Sequence, residues 1–172
     1  DASTNNIEDT INEYIKKYDN IIYVKNEKNL WLTKSLNIGI KNSHGEYIAR
    51  IDDDDYWISE DKLEKQVKFM ESNPKYWLCW AGIVVRIDEN DKILFTEYKN
   101  RLSDDEIRKD MLLQCWITHS SVLIKREAIN KVWMYDQKYI RAQDYELWLR
   151  IWTKYKLINL KDITIAYRIR SN

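Results

Sequence analysis

Asp52, Asp53, Asp54 and Asp55 stand side by side in this sequence. Four adjacent carboxylates repel one another unless a cation, hydrogen bonds or water offset the charge. The residues before them, Tyr47 to Ile51, read as a short buried strand. A carboxylate run at the carboxyl end of a strand lies where open α/β sheets bind ligands. Hard oxygen ligands suit Mg2+, Mn2+ or Ca2+ rather than zinc. A dedicated calcium loop has spaced ligands and a turn glycine, and this run has neither. One or two carboxylates on a metal leave room for substrate phosphates; a solvated acidic loop is the plain alternative. The second candidate is Asp144, which opens a strongly helical stretch reaching Trp152. By residue chemistry alone, a carboxylate there reads as one favoured by the positive end of the helix dipole.

The elements that must position these groups alternate between helix and strand. Ile7, Ile11, Ile15 and Tyr18 recur at helical spacing, with Asn5 or Asn6 placed to cap. Ile21 to Val24 reads as a strand, and Leu32, Leu36 and Ile40 mark a second helix. Leu63, Val67 and Met70 mark a third helix, stopped by Asn73-Pro74. Leu78 to Ile87 and Ile93 to Tyr98 read as strands around a turn at residues 88–91. Ser103 and Glu106 form a capping box before Ile107, Met111 and Leu112. Ser121 to Ile124, Ile158 to Leu160 and Ile163 to Ile169 read as strands. The alternation in the first half points to an α/β sheet with parallel strands, in one domain spanning residues 1–172.

Composition narrows the partners. The 172 residues carry 28 Lys plus Arg and 28 Asp plus Glu. A zero net charge gives no electrostatic case for nucleic acid or an anionic membrane. No apolar run is long enough to span a bilayer, and no signal peptide opens the chain. Cys79 and Cys115 are far apart and outside any metal-ligand spacing, which fits a reduced, cytoplasmic setting. Peripheral attachment at the inner membrane face is compatible with it.

Gly45-Glu46-Tyr47-Ile48-Ala49 followed by the acidic run resembles the core signature of family-two glycosyltransferases of the GT-A type. Asn29-Leu30 and Ser35-Leu36-Asn37-Ile38-Gly39-Ile40 are similar to an upstream stretch of that family, and Lys62-Leu63-Glu64-Lys65-Gln66-Val67 to a downstream one. His119-Ser120-Ser121-Val122-Leu123-Ile124 resembles the strand before its acceptor region. Gln143-Asp144-Tyr145-Glu146-Leu147-Trp148-Leu149-Arg150 resembles its E-D-Y-x-L-W-L-R helix, and Tyr167-Arg168-Ile169-Arg170 its closing strand. The matches cover nearly the whole chain in order.

The resemblance implies a Rossmann-like sheet with helices on both faces. A donor-binding part would span residues 1–57 and an acceptor-binding, catalytic part residues 58–172. It implies an inverting, metal-dependent transfer of a sugar from a nucleotide diphosphate, UDP by family default, with Mn2+ or Mg2+. The acceptor would be a saccharide or lipid-linked saccharide in surface polysaccharide or glycan synthesis. Asp1, Ser3, Asp52 and Asp53 would contact the nucleotide sugar, Asp54 with Asp52 the metal, and Asp55 would support them. Asp144 would be the general base, and Arg168 and Arg170 would meet the diphosphate. It further implies that a first strand-helix-strand unit is missing ahead of Asp1, leaving a sheet edge to be covered by that segment or by a second copy. The alternatives are a non-catalytic sugar-nucleotide-binding fragment, a metal-binding structural domain and a nucleotidyltransferase. The last would want a glycine-rich, basic phosphate loop, which this sequence lacks.

Tryptophan also stands where that family has glycine, at Trp31, Trp133 and Trp152, with Trp77 and Trp80 as further instances. The chain has 3 glycines and 8 tryptophans, against ~12 glycines at ordinary usage. One cause would account for both: a source gene that uses UGA for glycine, translated with UGA read as tryptophan. UGG codons at Trp31, Trp133 and Trp152 would exclude it.

Overall fold

The computed structural model describes residues 1–2, 7–99 and 103–170. Ser3 and the proposed cap at Asn5 or Asn6 lie outside the described residues. The helices are α1 (Glu8–Lys17), α2 (Leu32–Asn42), α3 (Lys62–Ser72), α4 (Asp104–Asp110), α5 (Arg126–Lys131) and α6 (Gln143–Trp152). The strands are β1 (Tyr47–Ala49), β2 (Tyr56–Trp57), β3 (Tyr76–Ile87), β4 (Ile93–Tyr98), β5 (Leu123–Lys125) and β6 (Lys156–Arg168). A 3-10 turn, His119–Ser121, leads into β5.

The sheet runs β1-β5-β3-β6-β2, with β4 paired to β3 off that path. Alternation along β3 sends its side chains to opposite faces. Leu78 and Trp80 join the main core with Ile40 of α2, Ile107 of α4, Ile129 of α5 and Leu147, Trp148 and Ile151 of α6. Cys79 joins Met70 of α3 and Leu123 on the other face. Helices therefore cover both faces. Full burial of an aliphatic side chain such as Leu147 contributes roughly 1.5–3 kcal/mol.

The sheet is mixed rather than parallel. Only β3 and β6 run parallel among the described pairs; β1/β5, β3/β5, β3/β4 and β2/β6 are antiparallel. The first-half strands β1 and β2 find their neighbours in β5 and β6, from the second half, which is why alternation along the first half misjudged direction. Ile21 to Val24 forms no strand, and these four side chains stay 36–55% exposed. The two closing strands expected from sequence are one 13-residue strand, β6, kinked against β3. At that kink Gly82 passes so close that a Cβ would lie 2.6 Å from Lys161 Cα. The capping box is present, with Ser103 Oγ accepting the Glu106 N–H, but α4 stops at Asp110, short of Met111 and Leu112.

α2 and α6 are tied to the loop between α5 and α6, which delivers Asp144. Asn37 Nδ2 donates to Tyr135 O (2.8 Å) and its Oδ1 accepts the Tyr135 N–H (3.0 Å). Thr33 Oγ1 donates to Tyr139 O (2.8 Å). Arg150 of α6 donates to Val132 O and Met134 O around the Trp133-Met134 turn.

That turn and the start of α2 hold two of the questioned tryptophans in glycine-like backbone. Trp31 has φ 67°, ψ 154°, a region essentially restricted to glycine. Trp133 has φ 69°. Their side chains are large and exposed, at 69% and 86%. Trp152, Trp77 and Trp80 differ. Trp152 is helical, Trp77 stacks on Tyr155 at 4.3 Å, and Trp80 is fully buried. Backbone geometry thus calls for glycine at two of these positions and not at the other three. Trp31→Gly should raise stability by about 1–3 kcal/mol, the scale of strain at such a position, read as a higher urea midpoint at unchanged slope. A lower midpoint would show that the indole contributes more than its backbone costs.

Candidate active site

The chain leaves β1 at Ala49 and turns through the four aspartates before β2 begins at Tyr56. Asp52, Asp54 and Asp55 turn inward to protein partners; Asp53 is exposed and has no hydrogen bond or ion pair among the described residues. Asp52 receives a two-pronged ion pair from Arg50. Its backbone N–H donates to Ser120 Oγ, and that oxygen lies 3.0 Å from Asp52 Oδ2. Asp55 meets the same hydroxyl through Oδ2, and its Oδ1 accepts the Arg168 N–H at 2.9 Å. Asp54 Oδ2 pairs with Arg170 Nε at 2.9 Å, with the Asp54 side chain 24% exposed.

The two Ser120-bound carboxylates are driven apart in acidity. Burial would raise Asp52, but Arg50, by hydrogen bond and charge, outweighs it and holds the carboxyl below its usual range. Burial raises Asp55; its bonds to Ser120 and Arg168 only partly offset that, and Asp52 and Asp54 push it further up.

Ser120 sits in the 3-10 turn, fully buried, and the turn is braced from behind. Trp57 Nε1 donates to Ser120 O (2.8 Å) and Gln66 Nε2 to Ser121 O (3.0 Å). Lys62 holds both braces: its Nζ donates to Gln66 Oε1 (2.6 Å) and lies 4.1 Å from the Trp57 ring centre. Burial brings the Lys62 pKa down to about 8.

The same turn reaches Asp144. His119 Nδ1 lies 4.0 Å from Asp144 Oδ2, and its Nε2 is 2.6 Å from Tyr135 Oη. The ring meets Trp148 edge-on at 5.6 Å. Burial first, and Arg50 second, push His119 down to about 3, against the opposing pull of Asp52, so the imidazole is neutral at physiological pH. Asp52, His119 and Asp144 line one polar cavity of about 340 Å³, with Arg50 and Leu32 on its wall. Arg50 Nε is buried there with no hydrogen-bond partner among the described residues.

Sequence-level candidates fall into three groups. Asp52 and Asp144 share the cavity, with Asp54 and Asp55 on the adjoining turn. Asp1 lies apart: its Oδ1 accepts from Asn26 Nδ2 (3.0 Å) and the Leu30 N–H (2.8 Å), so it fixes the segment that carries Leu32 to the cavity wall. Arg168 faces the turn but is committed elsewhere, donating to Asp54 O, Asp88 O and Asp91 Oδ1. Periodicity gave no sign of Ser120, Arg50 and Lys62. The signals available were Arg50's place two residues before Asp52 and a polar i, i+4 pair, Lys62 and Gln66, on the buried face of α3.

No group of three His, Cys, Asp or Glu side chains among the described residues is arranged to hold a metal by itself. The donor set still fits a hard cation shared with substrate: the Asp54 carboxylate is partly exposed and, among the described residues, paired with Arg170 alone, itself 65% exposed, and Mg2+-type sites take one or two carboxylates plus substrate phosphates. No helix among the described residues is long and apolar enough to cross a membrane.

Comparison with known proteins points one way. The model of the family described as glycosyl transferase family 2 matches residues 1–133. An uncharacterised glycosyltransferase of Methanocaldococcus jannaschii is 36% identical over 163 residues, 94% of this chain and 55% of its own length. A UDP-Glc:α-D-GlcNAc-diphosphoundecaprenol β-1,3-glucosyltransferase of Escherichia coli is 30% identical over 173 residues, 99% of this chain and 64% of its own. The chain thus spans little more than half the length of these relatives. Among solved structures, a mannosyltransferase of Pyrobaculum calidifontis in complex with GDP-Man and Mn2+ superposes with a TM-score of 0.66 over 96% of this chain and 45% of its own. At 15% identity that likeness establishes the GT-A-type fold alone.

The brace behind Ser120 has a measurable pH signature. Folding lowers the Lys62 pKa from 10.5 to about 8, so between those values the unfolded chain binds the extra proton and stability rises with pH. Below about pH 8 the buried ammonium is charged and its penalty is complete. Comparing Lys62→Met with the parent, the parent should gain stability from pH 8 to 10.5 relative to the variant, by roughly 3 kcal/mol at most. Parallel pH-stability curves would place Lys62 in an ordinary solvated environment.

Proposed function

We infer, because this chain belongs to glycosyl transferase family 2, that it forms the donor-binding and catalytic part of an enzyme that transfers a sugar from a nucleotide diphosphate to an acceptor hydroxyl. The observation that carries this reading is the cavity shared by Asp52 and Asp144. It puts the carboxylate turn at the end of β1 and the carboxylate at the start of α6 on one small space. Two carboxylates with different surroundings in one cleft suit a division of labour between ligand binding and proton transfer.

In this reading Asp52 and Asp53 face the nucleotide sugar, and Asp54, with Asp52, would hold Mn2+ or Mg2+. The cation, when bound, offsets negative charge on the leaving diphosphate. Arg50 and Ser120 keep Asp52 ionised and fixed. Asp144 takes the proton of the acceptor hydroxyl as that oxygen bonds to the anomeric carbon and the bond to the diphosphate breaks. A single displacement of this kind inverts the anomeric centre. Neutral His119, close to Asp144 and anchored to Tyr135, orients the base without supplying charge.

A uridine nucleotide is the first donor to test, since the Escherichia coli relative is named for UDP-glucose; the Pyrobaculum structure, named for GDP-mannose and Mn2+, makes the guanine nucleotide the control. A saccharide acceptor in surface polysaccharide or lipid-linked glycan assembly agrees with the acceptor in the first of those names.

Calorimetric titration with UDP, with and without Mn2+, tests the donor half. Binding is expected to need the metal, and Asp54→Ala is expected to abolish that dependence. Asp54→Ala at parental affinity would move the metal elsewhere. For the chemical half, Asp144→Asn should keep UDP binding and lower transfer by about 10²–10⁴-fold, the usual reach of a general base. Transfer at the parental rate would remove Asp144 from that role.

A further inference from the structure

Part of the wall of this cavity is basic, and the reading above gives its charge no task. Arg86 of β3, Lys99 just beyond β4 and Tyr167 of β6 line it. Arg86 and Tyr167 are register partners on adjacent strands, and the guanidinium lies 4.3 Å from the Tyr167 ring centre. Both cations turn to one carboxylate: Arg86 donates to Glu97 Oε2 at 2.7 Å and Lys99 to Glu97 Oε1 at 2.5 Å. The Lys99 side chain is only 9% exposed and that of Arg86 19%. Long cationic side chains ordinarily carry their charge out to water. Here two are kept in, and among the described residues they share a single carboxylate. This corner carries one positive charge more than it neutralises.

The rest of the cavity does not absorb it. Arg50 is matched by Asp52, and Asp144 lies beside His119, its Oδ2 4.0 Å from Nδ1. The cavity therefore joins a carboxylate able to take a proton, Asp144, with a cationic pair that Glu97 only half neutralises. A ligand complementary to that layout presents a hydroxyl to Asp144 and an anion to Arg86 and Lys99.

Resting on the glycosyltransferase reading, we propose that this corner selects an acceptor saccharide bearing an anionic group, a sugar carboxylate or a sugar phosphate, held by Arg86 and Lys99. Arg86 presents a planar fork, and Lys99 a point charge, to the same oxygens. Glu97 holds the two cations in place and weakens their grip on the ligand.

The experiment is a set of titrations of the 172-residue chain with methyl glucuronide, glucose 1-phosphate, methyl glucoside and inorganic phosphate, each with and without saturating UDP and Mn2+. At least one sugar anion should bind on the order of tenfold tighter than methyl glucoside, the scale of a hydrogen bond to a charged group. Whether the carboxylate or the phosphate gains identifies the source of the anion. Arg86→Gln and Lys99→Met should each remove the preference, and Glu97→Gln should enlarge it, all without changing UDP affinity. Equal affinity for the sugar anions and methyl glucoside would overturn the proposal, as would a preference that survives Arg86→Gln and Lys99→Met. Inorganic phosphate binding as tightly as glucose 1-phosphate would reduce the corner to a general anion site. Displacement of the sugar anion by UDP would assign the corner to the donor. Failure of UDP to bind is a separate result: it sinks the donor reading, while the titrations without UDP still report on this corner.

Discussion

Three carboxylates crowded into one turn must be held against their own repulsion, and here the holding falls on the buried hydroxyl of Ser120. Its oxygen accepts the Asp52 N–H and lies within hydrogen-bonding distance of a carboxylate oxygen from both Asp52 and Asp55. A hydroxyl has one proton to give. When it goes to one carboxylate, the contact with the other needs a proton from that carboxylate. Arg50 keeps Asp52 acidic, whereas burial and two neighbouring aspartates make Asp55 the better proton holder. The cluster therefore makes Asp52 the more acidic of the two carboxylates and Asp55 the less acidic. Remove the hydroxyl, and the turn loses both its anchor to β5 and this separation of roles.

The hydroxyl is only as fixed as the turn that bears it. Ser120 and Ser121 lend their carbonyls to Trp57 and Gln66, and Lys62 joins those two from below. On the other side of the same turn, His119 faces Asp144. Three consecutive residues, His119–Ser121, thus set the spacing between the aspartate turn and the start of α6. A shift of this turn would move both carboxylate centres together, so their relative geometry is better protected than either position alone. The tertiary bonds from α2 and Arg150 to the loop before α6 serve the same end from outside, fixing where Asp144 emerges.

Much of this was legible in the sequence, for identifiable reasons. Helical periodicity located α2, α3 and α6; alternation with an Asp-rich turn located β3 and β4; and the Ser103–Glu106 spacing located a cap that forms. The acidic run after a short strand marked the turn, but residue chemistry alone did not bring Asp144 to it. That link came from family resemblance, because Asp52 and Asp144 are far apart in sequence and meet only through tertiary packing. Strand direction was missed because β1 and β2 pair with strands from the other half of the chain. The bracing role of Lys62 and Gln66 was not legible, because two polar residues at i, i+4 do not announce burial, and packing against the 3-10 turn buries them. For Arg168, alternation gives its face and not its partners, which are the Asp88–Asp91 turn and Asp54 O.

The strained backbone at Trp31 belongs to this picture rather than beside it. Leu32, the next residue, lines the cavity that holds Asp52 and Asp144, and Asp1 pins Leu30 just before it. The chain must make a turn there that only glycine makes without strain, so that α2 can start with Leu32 at the wall. Tryptophan meets the same requirement at a conformational cost and leaves a large exposed indole on the residue before Leu32. A glycine there would relax the turn and clear the ground beside Leu32 together. The two effects cannot be separated by that substitution alone, but alanine separates them: it removes the indole while keeping a Cβ in the glycine-only region. Alanine should therefore clear the rim and retain most of the strain, so a gain in stability with glycine that alanine does not share would assign the cost to the backbone and not to the indole.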